Sequence, residues 1–334
     1  MHEGILSTVG DTPLVRLAKI FHNLHFQLYA KLEAFNPAGS TKDRPAISII
    51  RQGMRDGLIG PDTIIIESSS GNMGIGLAQV CSYYNLRLIC VVDVKTTSQN
   101  FKILEAYGAE VDVVREPDRI TGEYLQARLD RVKELLDRHP NSFWPNQYAN
   151  VHNPLAHHQT MNEIVAELGA DPDYIFCAVS TCGTLRGCSE YIRQHEMRTK
   201  VVAVDAMGSV IWGGQSAKRL IPGHGAAIRP QLFRDDLATE CIHITDLESV
   251  IGCRRLAQQE AILSGGSSGA VLMAIDRIKK QIPWGATCVG IFPDRGERYL
   301  DTIYSDDWIA EHFGEVAHLW RHPAEEQPCI AAMS

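Results

Sequence analysis

Short runs of β-branched and other apolar residues alternate with longer stretches of helical periodicity along most of the chain. This alternation is typical of parallel strands, because a parallel strand is reached only through a long crossover, usually a helix. The apolar runs predict strands at Gln27–Lys31, Thr63–Glu67, Leu86–Asp93, Glu110–Val114, Tyr174–Val179, Lys200–Asp205 and Thr287–Phe292. The stretches between them predict helices near residues 44–56, 72–84, 97–107, 120–138, 157–168, 183–195, 249–263 and 268–281.

We therefore expect an α/β fold with two domains, each built on a twisted, mainly parallel sheet flanked by helices. One complete series of strands and helices runs from about residue 40 to residue 150, and a second series follows it. The pattern predicts a smaller, mobile domain over residues 40–150 and a larger domain over residues 1–39 and 151–320. The polar, proline-containing segment 321–334 predicts a C-terminal tail that does not fold alone.

Composition and charge narrow the classes of partner. With 334 residues, a net charge of -8 and a pI near 5.9, the chain lacks the basic character of a nucleic-acid-binding protein. It has no apolar run of about 18 residues, and its N-terminus does not resemble a secretory signal, so we expect a cytoplasmic protein without a membrane partner. The nine cysteines include no C-x-x-C pair and no clustered spacing, which predicts neither a disulfide framework nor a metal site.

The first candidate catalytic segment is NPAGSTKDRPA. In it, Lys42 follows a glycine loop and precedes residues suited to a first helical turn. A lysine at this position faces the positive end of the helix dipole, which favours the neutral amine by about 0.3–1 kcal/mol. A neutral amine can form a Schiff base. By itself, however, the segment is more typical of a solvated surface lysine.

The segment ESSSGNMGIG connects a predicted strand to a predicted helix and contains Ser69, Ser70 and Asn72. Hydroxyl groups and backbone amides at a helix start suit an amino-acid carboxylate, and the Asn72 amide can hydrogen-bond a cofactor hydroxyl. The alternative interpretation is an ordinary capped loop.

A third segment, STCGT, follows the apolar strand YIFCAV and opens another predicted helix. Its residues are Ser180, Thr181, Cys182, Gly183 and Thr184. Converging amide and hydroxyl donors fit a phosphate monoester, but the chain has neither the G-x-x-x-x-G-K-[ST] spacing nor a convincing G-x-G-x-x-G fingerprint. The loop therefore predicts a phosphorylated cofactor instead of a nucleotide, unless it is merely a tight turn that requires Gly183.

Two later loops, SGGSSGA with Ser267 and PDRGERY with Asp294, lie at predicted element ends, where α/β proteins build their sites. In their order and spacing, all these segments resemble the fold-type II pyridoxal-phosphate enzymes of the cysteine synthase and cystathionine β-synthase family. The resemblance extends from GDTPLVRL at Gly10 to RYLDTIY near residue 304. It implies a fold like that of the tryptophan synthase β subunit, pyridoxal 5'-phosphate bound by the larger domain, and a homodimer.

The resemblance implies a transferase that removes a leaving group from the β-carbon of a serine derivative and replaces it with another nucleophile. Lys42 is then the Schiff-base lysine and the base for the Cα proton. Asn72 is expected to contact the phenolic oxygen of the cofactor, and the loop of residues 180–184 its phosphate. Ser267 is expected to face the pyridine nitrogen, with Asp294 as the alternative partner.

Two departures from ordinary cysteine synthases bear on the substrates: STCGT stands where those enzymes usually have GTGGT, and NQY where they commonly have NQF. Both changes add hydroxyl groups, which favours a larger, charged second substrate over sulfide. The predicted substrate-binding residues are Ser69, Ser70, Arg128, Gln147, Tyr148 and Ser180. Arg128 lies in the charged segment ARLDRVKELLDR, so a solvated helix face is the alternative for it.

Together with the segments DAMGSVIWG, PGHGA and PDRGERYLD, these departures most resemble a branch of the family that joins O-phospho-L-serine to L-glutamate. That reaction lies on the route to L-2,3-diaminopropionate, a siderophore precursor. Two alternatives remain open. One is a sulfhydrylase that makes cysteine from O-phosphoserine or O-acetylserine, and the other is a catalytically silent family member with a binding or regulatory role.

Overall fold

The computed structural model describes residues 2–21, 23–119 and 122–321. Its helices are α1 (Asp43–Arg55), α2 (Asn72–Tyr84), α3 (Ser98–Ala106), α4 (Tyr124–Arg138), α5 (His152–Leu168), α6 (Gly183–Gln194), α7 (Asp246–Arg255), α8 (Gly266–Ile278) and α9 (Asp306–Phe313). Its strands are β1 (Leu14–Arg16), β2 (Gln27–Leu32), β3 (Ile64–Ser68), β4 (Arg87–Asp93), β5 (Glu110–Val114), β6 (Ser142–Phe143), β7 (Tyr174–Ala178), β8 (Lys200–Ala206), β9 (Glu240–Ile244) and β10 (Thr287–Phe292). The predicted tail beyond Arg321 lies outside the described residues.

The strands form two sheets, which confirms the predicted α/β fold with mainly parallel pairing. A four-stranded sheet has the order β5-β4-β3-β6 and is parallel throughout. A six-stranded sheet has the order β1-β2-β10-β7-β8-β9 and is parallel except for the antiparallel pair of β1 and β2. Strand β2, near the N-terminus, therefore pairs with β10, which follows it by more than 250 residues in sequence. The domain boundaries and the mobility of residues 40–150 stay predictions.

Each predicted strand is present, and the differences concern short or interrupted elements. Strands β1 and β6 have three and two residues, too few for periodicity to be detected. The edge strand β9 and helix α9 were also missed. Helix α5 begins at His152 instead of near residue 157, because Pro154 lies in the first turn, where the missing backbone N–H has no helical partner to lose.

Both sheets are covered by helices on both faces. In β8, Val202 packs with the α8 side of the six-stranded sheet, and its neighbour Val201 packs with α5 and α6 on the other side. In β3, Ile65 packs with α1 and α2, and Ile66 packs with α4. Strands that are buried on both faces read as nearly continuous apolar runs, which is why the sequence reveals them clearly. Among the described residues, no helix is both long and apolar enough to cross a bilayer.

A buried group of charged residues connects α1 to β2 and α5. Arg44, which is 2% exposed, donates Nε and Nη2 to the two carboxylate oxygens of Glu33, each at 2.7 Å. Its Nη1 and Nη2 donate to the carboxylate of Glu163, also at 2.7 Å. Lys31 Nζ lies 3.0 Å from Glu163 Oε2. Burial disfavours the charged form of Arg44, but the two carboxylates outweigh it and raise its pKa.

We expect Glu163→Gln to lower the free energy of unfolding by about 3 kcal/mol, because it leaves buried cations short of a counter-charge. Burial would raise the pKa of Glu163, but Arg44, the Asp11 backbone N–H and Lys31 lower it from 4.5 to about 2. The stabilisation is therefore complete above about pH 4.5 and is lost as the pH falls towards 2. Urea unfolding of both proteins across this range measures the difference.

The control is Glu167→Gln on the same helix, whose carboxylate also contacts Lys31 but has a side chain that is 40% exposed. A partly solvated pair contributes at most about 1 kcal/mol. Equal losses in the two variants, or a Glu163→Gln difference that does not shrink in acid, would contradict the role of the buried group.

Candidate active site

Lys42 lies where the loop before α1 runs alongside the loop after β10. Thr41 N donates to Pro293 O at 2.7 Å, and Ser40 forms an antiparallel bridge with Asp294. Gly39 has a φ of +88°, and a Cβ added there would lie 2.5 Å from Arg295 Nε, so only glycine allows this close approach. The two loops together place Lys42 beside Asp294.

The side chain of Lys42 is in an environment that favours the neutral amine. Burial lowers its pKa, and the carboxylates of Asp294 and Glu33 only partly offset this effect. Asp43, the next residue, is 1% exposed and accepts a hydrogen bond from Ala38 N at 2.6 Å. Burial raises the pKa of Asp43 to about 7. The lysine is therefore not the solvated surface residue that its segment alone suggested.

Asn72, the first residue of α2, contacts charged groups through both ends of its amide. Its Nδ2 donates to Asp294 Oδ2 at 2.8 Å, and its Oδ1 accepts a hydrogen bond from Arg298 Nη1. Tyr299 donates its hydroxyl to the same Asp294 oxygen at 2.6 Å. Residues from α2 and from the loop after β10 thus form one connected polar group next to Lys42.

Asp294 contacts Gly265, which precedes α8, the helix that has Ser267 as its second residue. Gly265 N donates to Asp294 O at 3.2 Å, and a Cβ on Gly265 would lie 2.0 Å from Asp294 Oδ1. This carboxylate oxygen is buried and has no hydrogen-bond partner in the described structure. Burial raises the pKa of Asp294 despite its bonds to Tyr299 and Asn72. Sequence reasoning named Asp294 only as an alternative, because nothing in the sequence shows that its carboxylate is buried beside Lys42.

The predicted phosphate loop is a strand-to-helix turn between β7 and α6. Cys182 has a left-handed φ of 66°, and Thr181 Oγ1 accepts a hydrogen bond from Gly183 N at 3.3 Å. A Cβ on Gly183 would lie 2.1 Å from Asn153 Oδ1, so the loop has no room for a side chain there. The first backbone N–H groups of an α-helix have no partner within the helix and can bind an anion. Ser180 and Thr184 complete the loop on either side.

Asn153 and His157, both on α5, support this loop and were missed by the sequence analysis. Asn153 Nδ2 donates to Gln147 O at 2.7 Å and lies 3.4 Å from Thr181 Oγ1. His157 Nε2 lies 3.2 Å from Thr184 Oγ1. Burial, together with the charges of Lys42 and Arg44, lowers the pKa of His157 well below its usual value, so its ring is neutral. No local motif marks residues that act only through tertiary contact.

The serine loop and the segment around Gln147 meet at Glu67, the penultimate residue of β3. Ser69 Oγ accepts a hydrogen bond from Gly74 N at 2.9 Å, so Ser69 caps α2. Gln147 donates its backbone N–H to Glu67 Oε2 and its Nε2 to Ser68 O, both at 3.2 Å. Burial raises the pKa of Glu67 to about 7. Ser70, which is partly buried, accepts a hydrogen bond at its carbonyl from Asn100 at 3.0 Å.

Arg128, on α4, is 8% exposed and is therefore not part of a solvated helix face. Its Nε lies 3.2 Å from Asp93 Oδ2 without the geometry of a hydrogen bond. Tyr148 lies within range of the charges of both Arg128 and Glu67, and burial raises its pKa. Through Asp93, the last residue of β4, Arg128 is placed at the carboxyl end of the four-stranded sheet.

Comparison with known proteins accounts for this arrangement. Residues 5–294 match the family described as "Pyridoxal-phosphate dependent enzyme". The chain belongs to this family of pyridoxal-phosphate-dependent enzymes. The O-acetylserine dependent cystathionine β-synthase from Helicobacter pylori is 32% identical with a TM-score of 0.85, and the match covers 91% of this chain and 99% of that one.

Two other solved structures are similarly close. O-ureido-L-serine synthase is 29% identical with a TM-score of 0.84, covering 93% of this chain and 99% of that one. Cysteine synthase from Entamoeba histolytica is 31% identical with a TM-score of 0.85, covering 91% of both chains. These relatives confirm the predicted cofactor and a transferase of the β-replacement type.

The residues present fit pyridoxal phosphate. Lys42 offers an amine of lowered pKa, and the loop at Gly183 offers backbone donors in a turn without room for a side chain. Asp294 Oδ1 and Ser268 Oγ are buried and lack partners in the described structure. Lys42 would hold the aldehyde of the cofactor and residues 180–184 its phosphate. When bound, the cofactor withdraws electrons from the Cα of an amino acid.

We expect Gly183→Ala to weaken cofactor binding by about 10-fold or more, because overpacking at this site costs about 1–3 kcal/mol. An absorbance titration of the apoenzyme with pyridoxal phosphate gives the affinity. Gly60→Ala is the control, since a Cβ there meets only Thr63 Oγ1 at 3.9 Å. Unchanged affinity in Gly183→Ala would mean that this loop does not hold the phosphate.

Proposed function

We propose that this chain joins O-phospho-L-serine and L-glutamate, releasing phosphate and forming N-(2-amino-2-carboxyethyl)-L-glutamate. The sequence resembles N-(2-amino-2-carboxyethyl)-L-glutamate synthase in the segments DAMGSVIWG, PGHGA and PDRGERYLD. The product would serve the synthesis of L-2,3-diaminopropionate, a siderophore precursor. A homodimer is part of the same proposal.

In the proposed reaction, Lys42 would hold the cofactor, and its neutral amine would take the Cα proton of the first substrate. Ser69, Ser70 and Gln147 orient the carboxylate of the first substrate. Phosphate would leave the β-carbon with the electrons of its C–O bond, and the amine of glutamate would form a C–N bond there and lose a proton to solvent. The protonated amine of Lys42 would return a proton to Cα to complete the product. Asp294, Asn72 and Ser267 would hold the cofactor ring in one orientation.

The burial of Arg128 is the main observation in favour of an anionic second substrate. Arg128 is a buried cation beside Tyr148, and its Nε lacks a hydrogen-bond acceptor in the described structure. A buried cation needs a counter-charge, and among the residues that the structure describes Arg128 has one ion-pair partner, Asp93. Glu67 is also nearby, but its raised pKa of about 7 leaves it partly protonated near neutral pH. The site therefore favours ligands with more than one negative group.

Electrostatics at the first substrate supports the same choice. Burial raises the pKa of Asp43 to about 7 and also raises that of Asp294, so both carboxyl groups carry less negative charge than exposed ones. Arg298 contributes a cation at the same place. A dianionic phosphate leaving group meets less repulsion in such a site than among fully ionised carboxylates.

The second candidate is a sulfhydrylase that makes cysteine, which the similarity to the Entamoeba histolytica cysteine synthase favours. Sulfide has no carboxylate groups that a buried arginine could bind. This candidate therefore leaves Arg128 and Tyr148 without a role in binding the second substrate. The catalytically silent alternative is not supported, because Lys42 is present with a lowered pKa in a complete site.

A product assay separates the two candidates. The cofactor-loaded enzyme is incubated with O-phospho-L-serine and either L-glutamate or sulfide, and products are identified by mass spectrometry. We expect the glutamate adduct with one phosphate released per molecule formed. Efficient formation of cysteine with no glutamate adduct would instead establish the sulfhydrylase.

We expect Lys42→Ala to reduce turnover by about 1,000-fold or more, because general-base catalysis alone contributes about 100- to 10,000-fold. The fold should be retained, since the lysine lies at a junction of loop and helix. Phosphate release gives the rate, and circular dichroism reports the fold. Lys102→Ala, at an exposed position, should leave both unchanged. Wild-type turnover in Lys42→Ala would rule out this lysine as the base.

We expect Arg128→Gln to raise the KM for glutamate by about 10- to 100-fold, the equivalent of one lost hydrogen bond to a charged group. Arg131→Gln is the matched control on the same helix, because Arg131 is paired with Asp112 and Glu134 and should not affect KM. Initial rates over a range of glutamate concentrations test both. A fall in kcat with an unchanged KM for glutamate would contradict direct binding by Arg128.

A further inference from the structure

We propose that Asp205, Cys241 and His243 form a binding site for a divalent metal ion of the Zn²⁺ type. One ligand atom from each side chain can be chosen so that all three lie within 4.8 Å of one another. None of the three has a role in the reaction proposed above. The site is thus an additional feature of the chain and does not depend on the identity of the substrates.

The parallel pairing of β8 and β9 explains why these residues meet. Asp205 is paired with His243, and Ala203 is paired with Cys241. Side chains two residues apart on a strand point to the same face, so Cys241 and His243 both lie beside Asp205. Strand β9 is at the edge of its sheet. The Asp205 side chain is 0% exposed and that of His243 is 37% exposed, so an ion can enter from the His243 side.

The carboxylate of Asp205 provides the observation that points to a ligand. Its Oδ1 accepts a hydrogen bond from Ala206 N at 2.8 Å, whereas its Oδ2 is buried without a hydrogen-bond partner in the described structure. The His243 Nε2 atom lies 3.9 Å from this oxygen, beyond hydrogen-bond distance. A buried acceptor without a donor is unfavourable, and a bound cation removes that cost.

The donor set selects the class of ion. One carboxylate oxygen, one thiolate sulfur and one imidazole nitrogen suit Zn²⁺ or Co²⁺, whereas Mg²⁺ and Ca²⁺ prefer oxygen ligands. Zinc binds nitrogen and oxygen ligands at about 2.0–2.1 Å, so the edge between two such ligands of a tetrahedron is about 3.3 Å. The 3.9 Å between His243 Nε2 and Asp205 Oδ2 therefore has to shorten by about 0.6 Å when the ion binds. A water molecule would complete four-coordination. On binding, the metal–sulfur bond replaces the S–H bond of Cys241, and the proton goes to solvent.

The surroundings of the cluster include other groups that act on it. Burial raises the pKa of Asp205, with Ser209 and Arg219 only partly opposing this effect. Burial raises the pKa of Cys182, in the predicted phosphate loop, and Asp205 and Cys241 are close enough to add to this effect. The cluster is therefore adjacent to that loop, but we do not count Cys182 among the ligands.

A cobalt titration tests the site. The cofactor-loaded enzyme is treated with EDTA, freed of chelator, and titrated with Co²⁺, whose ligand-field and thiolate charge-transfer absorption report tetrahedral coordination that includes sulfur. We expect one Co²⁺ per chain with both features, and displacement of the ion by Zn²⁺. Absence of a stoichiometric, thiolate-bound species would overturn the proposal.

Variants assign the ligands. We expect His243→Ala to weaken Co²⁺ binding by about 100-fold or more, since losing even an outer-shell partner typically costs 10- to 100-fold. Cys241→Ser should remove the charge-transfer absorption. His318→Ala, at an exposed histidine elsewhere, should change neither. Wild-type affinity in His243→Ala, or persistent charge transfer in Cys241→Ser, would show adventitious binding at other groups and would refute the site.

Circular dichroism and cofactor absorbance check that each variant is folded. If Cys241→Ser does not fold, the Co²⁺ affinity of His243→Ala decides whether the site exists. The His243 side chain is partly exposed, so its removal leaves the core intact. The readouts do not include turnover, so they are independent of the proposed reaction.

Discussion

The arrangement of the active site depends on the buried guanidinium of Arg44. It lies two residues after Lys42 and binds the carboxylates of Glu33 and Glu163 through two paired hydrogen bonds each. Thr12 contributes a further oxygen at 3.2 Å. Paired contacts of this kind fix both distance and orientation, because the planar guanidinium donates its hydrogen bonds only in its own plane, along its edges. The start of α1, the end of β2 and the middle of α5 are thereby held together.

This constraint has a direct consequence for chemistry. Because α1 cannot shift without separating buried charges, Lys42 stays next to the loop after β10. His157 lies on α5, the same helix as Glu163, and is thereby kept against the predicted phosphate loop. Removing one partner from a buried ion group is costly, so competing arrangements of these elements are strongly disfavoured. The ion group thus serves as the rigid support on which a cofactor site can be built.

Burial also determines the charge of the site itself. The same desolvation lowers the pKa of Lys42 and raises those of Asp43, Glu67 and Asp294. Carboxyl groups and an amine that would be ionised in water are thus shifted towards their neutral forms. The lowered pKa of Lys42 is what the proposed role of this lysine as a base requires. The relatives of this chain share the fold, and the hydroxyls of STCGT and NQY distinguish its substrate end from that of ordinary cysteine synthases.

The sequence by itself determined the fold class and the parallel strands, and it singled out Lys42 as the candidate Schiff-base lysine. Strands buried on both faces produce continuous apolar runs, and loops that bind anions need glycine and hydroxyl residues at helix starts, so both leave local signals. Strands β1 and β6 were missed because they are too short to show a period. Only the tertiary structure decided that Arg128 is buried and that Asp294 faces Lys42.

The same holds for contacts between distant segments. Asn153 and His157 support the predicted phosphate loop from another helix, and Asp205 meets Cys241 and His243 only because β8 and β9 pair in register. Asp205 and Cys241 are more than 30 residues apart in the sequence, too far to form a recognisable metal-ligand motif. The spacing of the nine cysteines therefore gave no indication of such a cluster. A local sequence pattern reflects the secondary structure and the loop conformation of its own segment. Burial and the meeting of remote side chains arise from packing, which no single segment contains.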